Sequence, residues 1–167
     1  MLIADREAVF RLSRGALHGF VHPSDILGSV ARERTRLNSA SAAGGRVSRL
    51  AGCPILVVED DPDLRYMMVQ MLALEGFEPE GASDGVEALK RLRSPGPRPH
   101  VIVLDMMMPR MDGWEFCRVR ALDPDIGQIP VVVLSAAPRN ILDIDAAAVI
   151  SKPFDYDTLL EAVRREC

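Results

Sequence analysis

Four short apolar runs in this 167-residue chain each stop at a residue that can do chemistry. Ile55 to Val58 runs into Glu59-Asp60, Val101 to Leu104 into Asp105, Val131 to Leu134 into Ser135, and Ala147 to Ile150 into Ser151-Lys152-Pro153. Short apolar, mostly β-branched runs bounded by turn formers read as strands buried on both faces. In an open parallel sheet, ligands bind beyond the carboxyl ends of the strands, which is where each of these groups would stand. Three carboxylates gathered there repel one another and lose hydration. A hard divalent cation, Mg2+ (or Mn2+), is the simplest remedy, because Mg2+ takes oxygen ligands and keeps several waters. Lys152 adds a compact positive charge on a flexible stem, and Ser135 adds a hydroxyl. A carboxylate served by metal, ammonium and hydroxyl is equipped for phosphoryl chemistry. Aspartate is then the nucleophile of an acyl phosphate, and each partner stabilises charge on the transferred oxygens.

Each residue taken alone has a plainer reading. A lone lysine is usually a solvated surface residue, a serine at a strand end a turn former, Glu59-Asp60 a strand-to-helix turn, and Asp105 a helix cap. The coincidence at four strand ends is what favours a site. Asp61 before Pro62 reads as an N-cap followed by first-turn proline, in preference to a metal ligand. Asp112-Gly113 reads as a cap and a turn, and His100 as a loop residue.

The elements that must position these groups alternate along the chain. A helix follows Pro62 through Leu64, Met67, Met68, Met71 and Leu72 and stops near Gly76, its methionines serving as core filler. Phe77 to Ala82 is a weaker strand, with Pro79 pointing to a sheet edge. Asp84 and Glu87 have capping-box spacing and open a helix through Val86, Leu89 and Leu92. Asp112 and Glu115 repeat that spacing before a helix over 114–122. A short helix is expected over 139–145, and Asp155 caps a last helix through Leu159, Leu160 and Val163. Strands alternating with helices predict an α/β fold: a doubly wound, five-stranded parallel sheet covered on both faces.

Composition sets the wider bounds. An apolar content of 48% and a charged content of 26% suit a soluble globular protein. Three cysteines, Cys53, Cys117 and Cys167, are widely spaced and odd in number. They suggest no disulfide framework and no metal motif, and a cytoplasmic location is the default. No apolar run approaches the roughly 20 residues that would span a membrane, and charges interrupt residues 1–14, so neither a signal peptide nor an anchor is expected. Residues 1–52 hold eight arginines against four acids, a net +4, which leaves −8 for the rest of the net −4 chain. Three segments follow: an extension over 1–37, partly helical; a flexible Ser/Ala/Gly linker over 38–52; and the alternating domain over 53–167. The basic arm carries few aromatics and no recognition helix, which argues against nucleic acid.

Together the segments Val57-Val58-Glu59-Asp60-Asp61, Leu104-Asp105-Met106-Met107-Met108-Pro109-Arg110-Met111-Asp112-Gly113, Val133-Leu134-Ser135-Ala136 and Ser151-Lys152-Pro153-Phe154 resemble the receiver domain of bacterial two-component response regulators, in its single-domain form. The resemblance covers residues 54–166. It implies a flavodoxin-like strand order 2-1-3-4-5 and a phosphoacceptor at Asp105, fed by a histidine kinase or a histidine phosphotransfer protein. It implies Mg2+ held by Asp60, Asp105, Glu59 and the main-chain carbonyl of Met107. It also implies that Lys152 pairs with the aspartate and the phosphoryl oxygens, that Ser135 turns towards the phosphoryl group, and that the Lys152-Pro153 peptide is cis. The output would be binding to a downstream protein rather than enzyme turnover. With the chain ending at Cys167, no DNA-binding domain is expected, and no membrane.

Three departures from the family pattern stand out. Receivers commonly carry Tyr or Phe three residues before the lysine, where this chain has Val149, so switching would rest on Ser135 and the backbone. The interval from Ser135 to Lys152 is short, which implies a short fourth helix and a non-standard partner face. The positions two after Asp105 and two after Ser135 are Met107 and Ala137. Neither can orient an attacking water, so the phosphoryl group would be lost slowly. Two other readings are weaker. A haloacid-dehalogenase-type phosphohydrolase needs a second aspartate where Met107 stands. A degenerate receiver acting as a phosphorylation-independent scaffold would not need the complete set of Glu59, Asp60, Asp105, Ser135 and Lys152.

Overall fold

A computed structural model describes residues 52–137 and 144–167. The expected extension over 1–37, nearly all of the linker over 38–52 and most of the expected short helix over 139–145 lie outside the described residues. Within them the chain runs β1 (Pro54–Val58), α1 (Pro62–Leu74), β2 (Glu78–Ala82), α2 (Gly85–Arg93), β3 (Val101–Asp105), α3 (Gly113–Ala121), β4 (Val131–Ser135), β5 (Ala148–Ser151) and α4 (Tyr156–Glu166). The five strands form one parallel sheet in the order β2-β1-β3-β4-β5. This is the doubly wound, flavodoxin-like arrangement expected from the motifs.

The strands sort themselves by composition. β3 and β4, Val-Ile-Val-Leu-Asp and Val-Val-Val-Leu-Ser, are buried at every position and lie side by side inside the sheet. β2, Glu-Pro-Glu-Gly-Ala, lies at an edge and is mostly solvent-facing, where a proline costs no ladder bond. Side chains alternate across the sheet and build two cores. Leu56, Val58, Ile102, Leu104, Val131 and Val133 pack beneath α2 and α3 with Leu89, Leu92 and Phe116. Ile55, Val57, Val101, Val103, Val132 and Leu134 pack beneath α1 and α4 with Met68, Leu72, Leu159 and Val163.

Every described helix starts on an aspartate. Asp61 accepts from the N–H groups of Asp63 and Leu64, Asp84 from Val86 and Glu87, Asp112 from Glu115, and Asp155 from Thr158, all at 2.8–2.9 Å. Each such cap contributes about 1 kcal/mol. The expected box at α2 is displaced by one residue: Glu87 accepts from the N–H of Ser83, the residue before the cap, at 2.8 Å.

The reading of the cysteines as unpaired is corrected. Cys53 and Cys167 form a disulfide across a separation of 114 residues, with Cα atoms 6.0 Å apart, while Cys117 is free and buried. Cys53 enters β1 and Cys167 closes the last turn of α4, and α4 packs on the face that β1 shares. The fold therefore brings together two residues whose distance in sequence hides the meeting.

Candidate functional site

The alternation that builds the two cores also selects which groups meet. Ile55 and Val57 lie on the α1/α4 face, and Glu59 continues that series. Val101 and Val103 do the same for Asp105, and Ile150 for Lys152. Three charged groups from three strand ends thus emerge on one side of the carboxyl edge. Lys152 Nζ stands 2.9 Å from Asp105 Oδ2 and 3.0 Å from Glu59 Oε2. Glu59 and Asp105 are buried at 2% and 5% exposure, whereas Asp60, of the opposite parity, is exposed. Carboxylate oxygens of Glu59, Asp60 and Asp105 all lie within 4.8 Å of one another.

The charge balance is incomplete. Burial, and then the neighbouring Asp105 charge, push the Glu59 carboxyl up to about 7, although Lys152 pulls the other way. For Lys152, burial would lower the ammonium, but hydrogen bonds to Asp105 and Glu59 and their charges raise it above its ordinary value. Among the described residues, one ammonium faces two buried carboxylates and a third beside them. The donors around the deficit are hard oxygens, the set that a Mg2+-sized cation takes in preference to softer metals.

Ser135 is buried at the end of β4, but its parity is that of Val131 and Val133, on the other face. Its Oγ accepts from the N–H of Ala137 at 3.1 Å, and its carbonyl accepts from the N–H of Lys152 at 2.8 Å. The hydroxyl is thus turned onto its own loop, while the main chain of the same residue holds the lysine in place. The Lys152-Pro153 peptide is cis. Met107 donates its N–H to Asp105 Oδ1 at 3.3 Å, and its side chain is 68% exposed. Val149, on edge strand β5, is 44% exposed. Asp61 caps α1 as expected. His100 is exposed and lies before β3, at the other edge of the sheet.

Three supports of the site have no signature in the sequence. Arg65, one turn into α1, donates Nη1 to the carbonyls of Glu59 at 2.5 Å and Asp60 at 3.2 Å, fixing the acidic turn from behind. Its stem lies over Gly81 of β2, where a β-carbon would come within 3.2 Å of it. Arg110 follows Pro109 in a left-handed conformation, φ 66°. It reaches the fully buried Asp84 and bonds Ser83 Oγ at 3.1 Å, tying the loop after Asp105 to the start of α2. Gly113 lets α3 begin against the end of β3. A β-carbon there would sit 2.8 Å from Met106 Cα and 2.9 Å from the Asp105 carbonyl. The glycine and the arginines are visible in the sequence, but their contacts require the loops to be closed.

A five-stranded 2-1-3-4-5 sheet with an acidic cluster, a lysine and a serine at its carboxyl edge defines a receiver-type module. The model of the response regulator receiver domain matches residues 55–164, and the chain belongs to that family. It is 40% identical over 116 residues to the response regulator MprA of Mycobacterium ulcerans, covering 66% of this chain and 48% of that protein. The chain thus spans about half the length of the curated relatives it matches. Among solved structures, the chemotaxis response regulator CheY4 of Vibrio cholerae superposes with a TM-score of 0.64 at 30% identity, covering 70% of this chain and all of that one. The receiver domain of a sensor histidine kinase of Pseudomonas aeruginosa superposes at 0.62 with 26% identity, covering 69% of this chain and 97% of that one. That structure has a magnesium ion coordinated in its active-site cleft.

Proposed function

We propose that this receiver accepts a phosphoryl group on Asp105 in a Mg2+-dependent reaction and thereby controls binding to a downstream protein. The observation that carries the reading is the placement of Lys152 Nζ, 2.9 Å from Asp105 and 3.0 Å from Glu59, beside a third carboxylate. A carboxylate oxygen of Asp105 attacks the phosphorus of a phosphohistidine on a histidine kinase or phosphotransfer protein. The N–P bond breaks, its electron pair stays on the imidazole, and an acyl phosphate forms. Lys152 already bridges the nucleophile and Glu59, so it follows the negative charge onto the phosphoryl oxygens at little reorganisation cost. Ser135 exchanges its bond to Ala137 for a phosphoryl oxygen, which moves the β4 loop that also holds Lys152 through its main chain. Glu59, Asp60, Asp105 and the Met107 carbonyl would hold Mg2+ (or Mn2+), as the bound magnesium of the Pseudomonas aeruginosa relative supports. Bound there, the ion neutralises charge on the transferred oxygens.

The chain's own chemistry is limited to gaining and losing this group. Met107 directs its side chain to solvent and Ala137 has only a methyl group, so nothing at these positions orients a hydrolytic water, and the acyl phosphate is long-lived. On this reading the protein works in the cytoplasm, where a kinase drawing on ATP would supply the phosphoryl group. We also propose the division of the chain into an extension over 1–37, a linker over 38–52 and the receiver over 53–167. The test is to incubate the chain with Mg2+ and acetyl phosphate and weigh it intact. One added phosphoryl group, lost in Asp105→Asn and in EDTA, is expected. An unchanged mass, or addition that survives Asp105→Asn, overturns the reading.

A further inference from the structure

The edge of the sheet opposite Asp105 holds a second group of reactive side chains. Cys53, 6% exposed, precedes β1 and is bonded to Cys167, which is partly exposed at the end of α4. His100 Nδ1 lies 3.6 Å from Cys53 Sγ. The imidazole is positioned by the main chain, because the His100 N–H donates to the Pro54 carbonyl at 2.8 Å, next to Cys53 itself. His100 is otherwise exposed to water. Cys117, the remaining cysteine, is buried on the core face of α3, and burial pushes its thiol up to about 11, so it stays inert.

A disulfide that serves only as a brace needs no acid or base beside it. This one joins two unequal cysteines, Cys167 partly exposed and Cys53 buried, with an imidazole held against Cys53. Rates of thiol–disulfide exchange depend on which sulfur is attacked and on how well the departing thiolate is stabilised. We propose that Cys53, Cys167 and His100 form a thiol–disulfide exchange site whose substrate is a dithiol. A thiolate of the dithiol attacks Cys167 Sγ. The Cys53–Cys167 bond breaks, its electron pair goes to Cys53 Sγ, and His100 supplies the proton. The second thiol of the dithiol then attacks the mixed disulfide and releases Cys167. The dithiol leaves oxidised to a disulfide, and two electrons and two protons have passed to the Cys53 and Cys167 thiols. The reverse reaction, with an oxidised dithiol as oxidant, restores the bond with His100 as base. Reduction releases the last turn of α4 from the start of β1, at the edge away from phosphoryl transfer.

The test equilibrates the full chain with mixtures of reduced and oxidised dithiothreitol, quenches by alkylation in denaturant, and weighs the products. Two species differing by two labels, mapped to Cys53 and Cys167, are expected, with Cys117 labelled in both. A single triply labelled species at every ratio, or a bond involving Cys117, overturns the proposal. Stopped-time labelling of His100→Ala should show reduction slowed by about tenfold or more, with the melting temperature of the oxidised form unchanged. An unchanged rate removes His100 from the site and overturns the proposal. A parallel arm with a protein dithiol of the Cys-x-x-Cys type separates the two sources of the substrate: faster reduction at equal thiolate assigns it to a protein, and an equal or slower rate to a small molecule. None of these readings depends on phosphorylation.

Discussion

At the carboxyl edge of the sheet, Glu59, Asp60 and Asp105 crowd around one ammonium among the described residues, whereas at the amino edge Cys53 and Cys167 are joined by a covalent bond. Both edges bring together residues far apart in sequence, and both use the α1/α4 face. The carboxyl edge is held by charges that do not balance, so a cation or a phosphoryl group changes its energy. The amino edge is held by a link that closes a loop of more than a hundred residues and, in the chain-entropy account, contributes about 5 kcal/mol whatever the charge state. One edge is built to respond to anions and cations, and the other to electrons. The β1 strand between them is rigid and buried, so each edge can change without requiring the other to do so.

The sharpest way to break this contrast is Lys152→Ala. Removing the one ammonium should lower the rate of phosphorylation by acetyl phosphate about a hundredfold, the scale for losing one electrostatic partner of a reacting oxygen. Dithiol exchange at Cys53–Cys167 should keep its rate. Intact-mass time courses read both on the same sample. A loss in both would mean that the two edges are coupled.

The contrast also marks what was legible before any coordinates. The helix caps and the residues of the charged edge follow from local signals, β-branched runs ending at Glu59, Asp105 and Ser135 and aspartates before each helix, whereas the strand order follows from the family resemblance. The pairing of Lys152 with Asp105 is implied by the family resemblance, and its second partner, Glu59, emerges only with the structure. The orientation of Ser135 onto Ala137 was hidden, because its position at a strand end is fixed by sequence but its rotamer is fixed by the loop. Nothing in the sequence sets Arg65 and Arg110 apart until the turns they clamp are in place. The disulfide was hidden for the same kind of reason. A count of three cysteines argues against a framework, and only the docking of α4 beside β1 shows that two of them meet.

A second test acts on charge alone. Glu59 titrates near 7 in the folded chain, above its ordinary value of 4.5. The folded state therefore holds this proton more tightly than the unfolded state. The stabilisation is fully present below about pH 4.5 and is lost as pH rises through about 7. In EDTA, Glu59→Gln should therefore be more stable than the parent at pH 8, by on the order of 1–3 kcal/mol, and nearly equal to it at pH 5. Mg2+ should stabilise the parent more at pH 8 than at pH 6 and should do much less for the variant. Urea melts at the two pH values measure this. Equal stability at pH 8 would mean that Lys152 already compensates the buried pair, and the charge deficit at this edge would disappear.

The smallest expected effect separates the scaffold of the charged edge from its chemistry. Asp61 adjoins the acidic cluster, yet its carboxylate is committed to the N–H groups of Asp63 and Leu64 at 2.9 Å. A carboxylate that already closes a helix terminus has to give up those bonds to enter a metal's coordination shell, leaving exposed donors to water. Asp61→Ala should then cost about 1 kcal/mol of stability, as for other caps. Asp61→Asn or Asp61→Ser, which also cap, should recover most of it. The Mg2+ concentration for half-maximal phosphorylation should move less than twofold in all three, because Glu59 and Asp60 remain. A tenfold rise in Asp61→Asn, with stability kept, would move Asp61 from the scaffold into the metal's ligand set. The unbalanced edge would then hold four carboxylates rather than three.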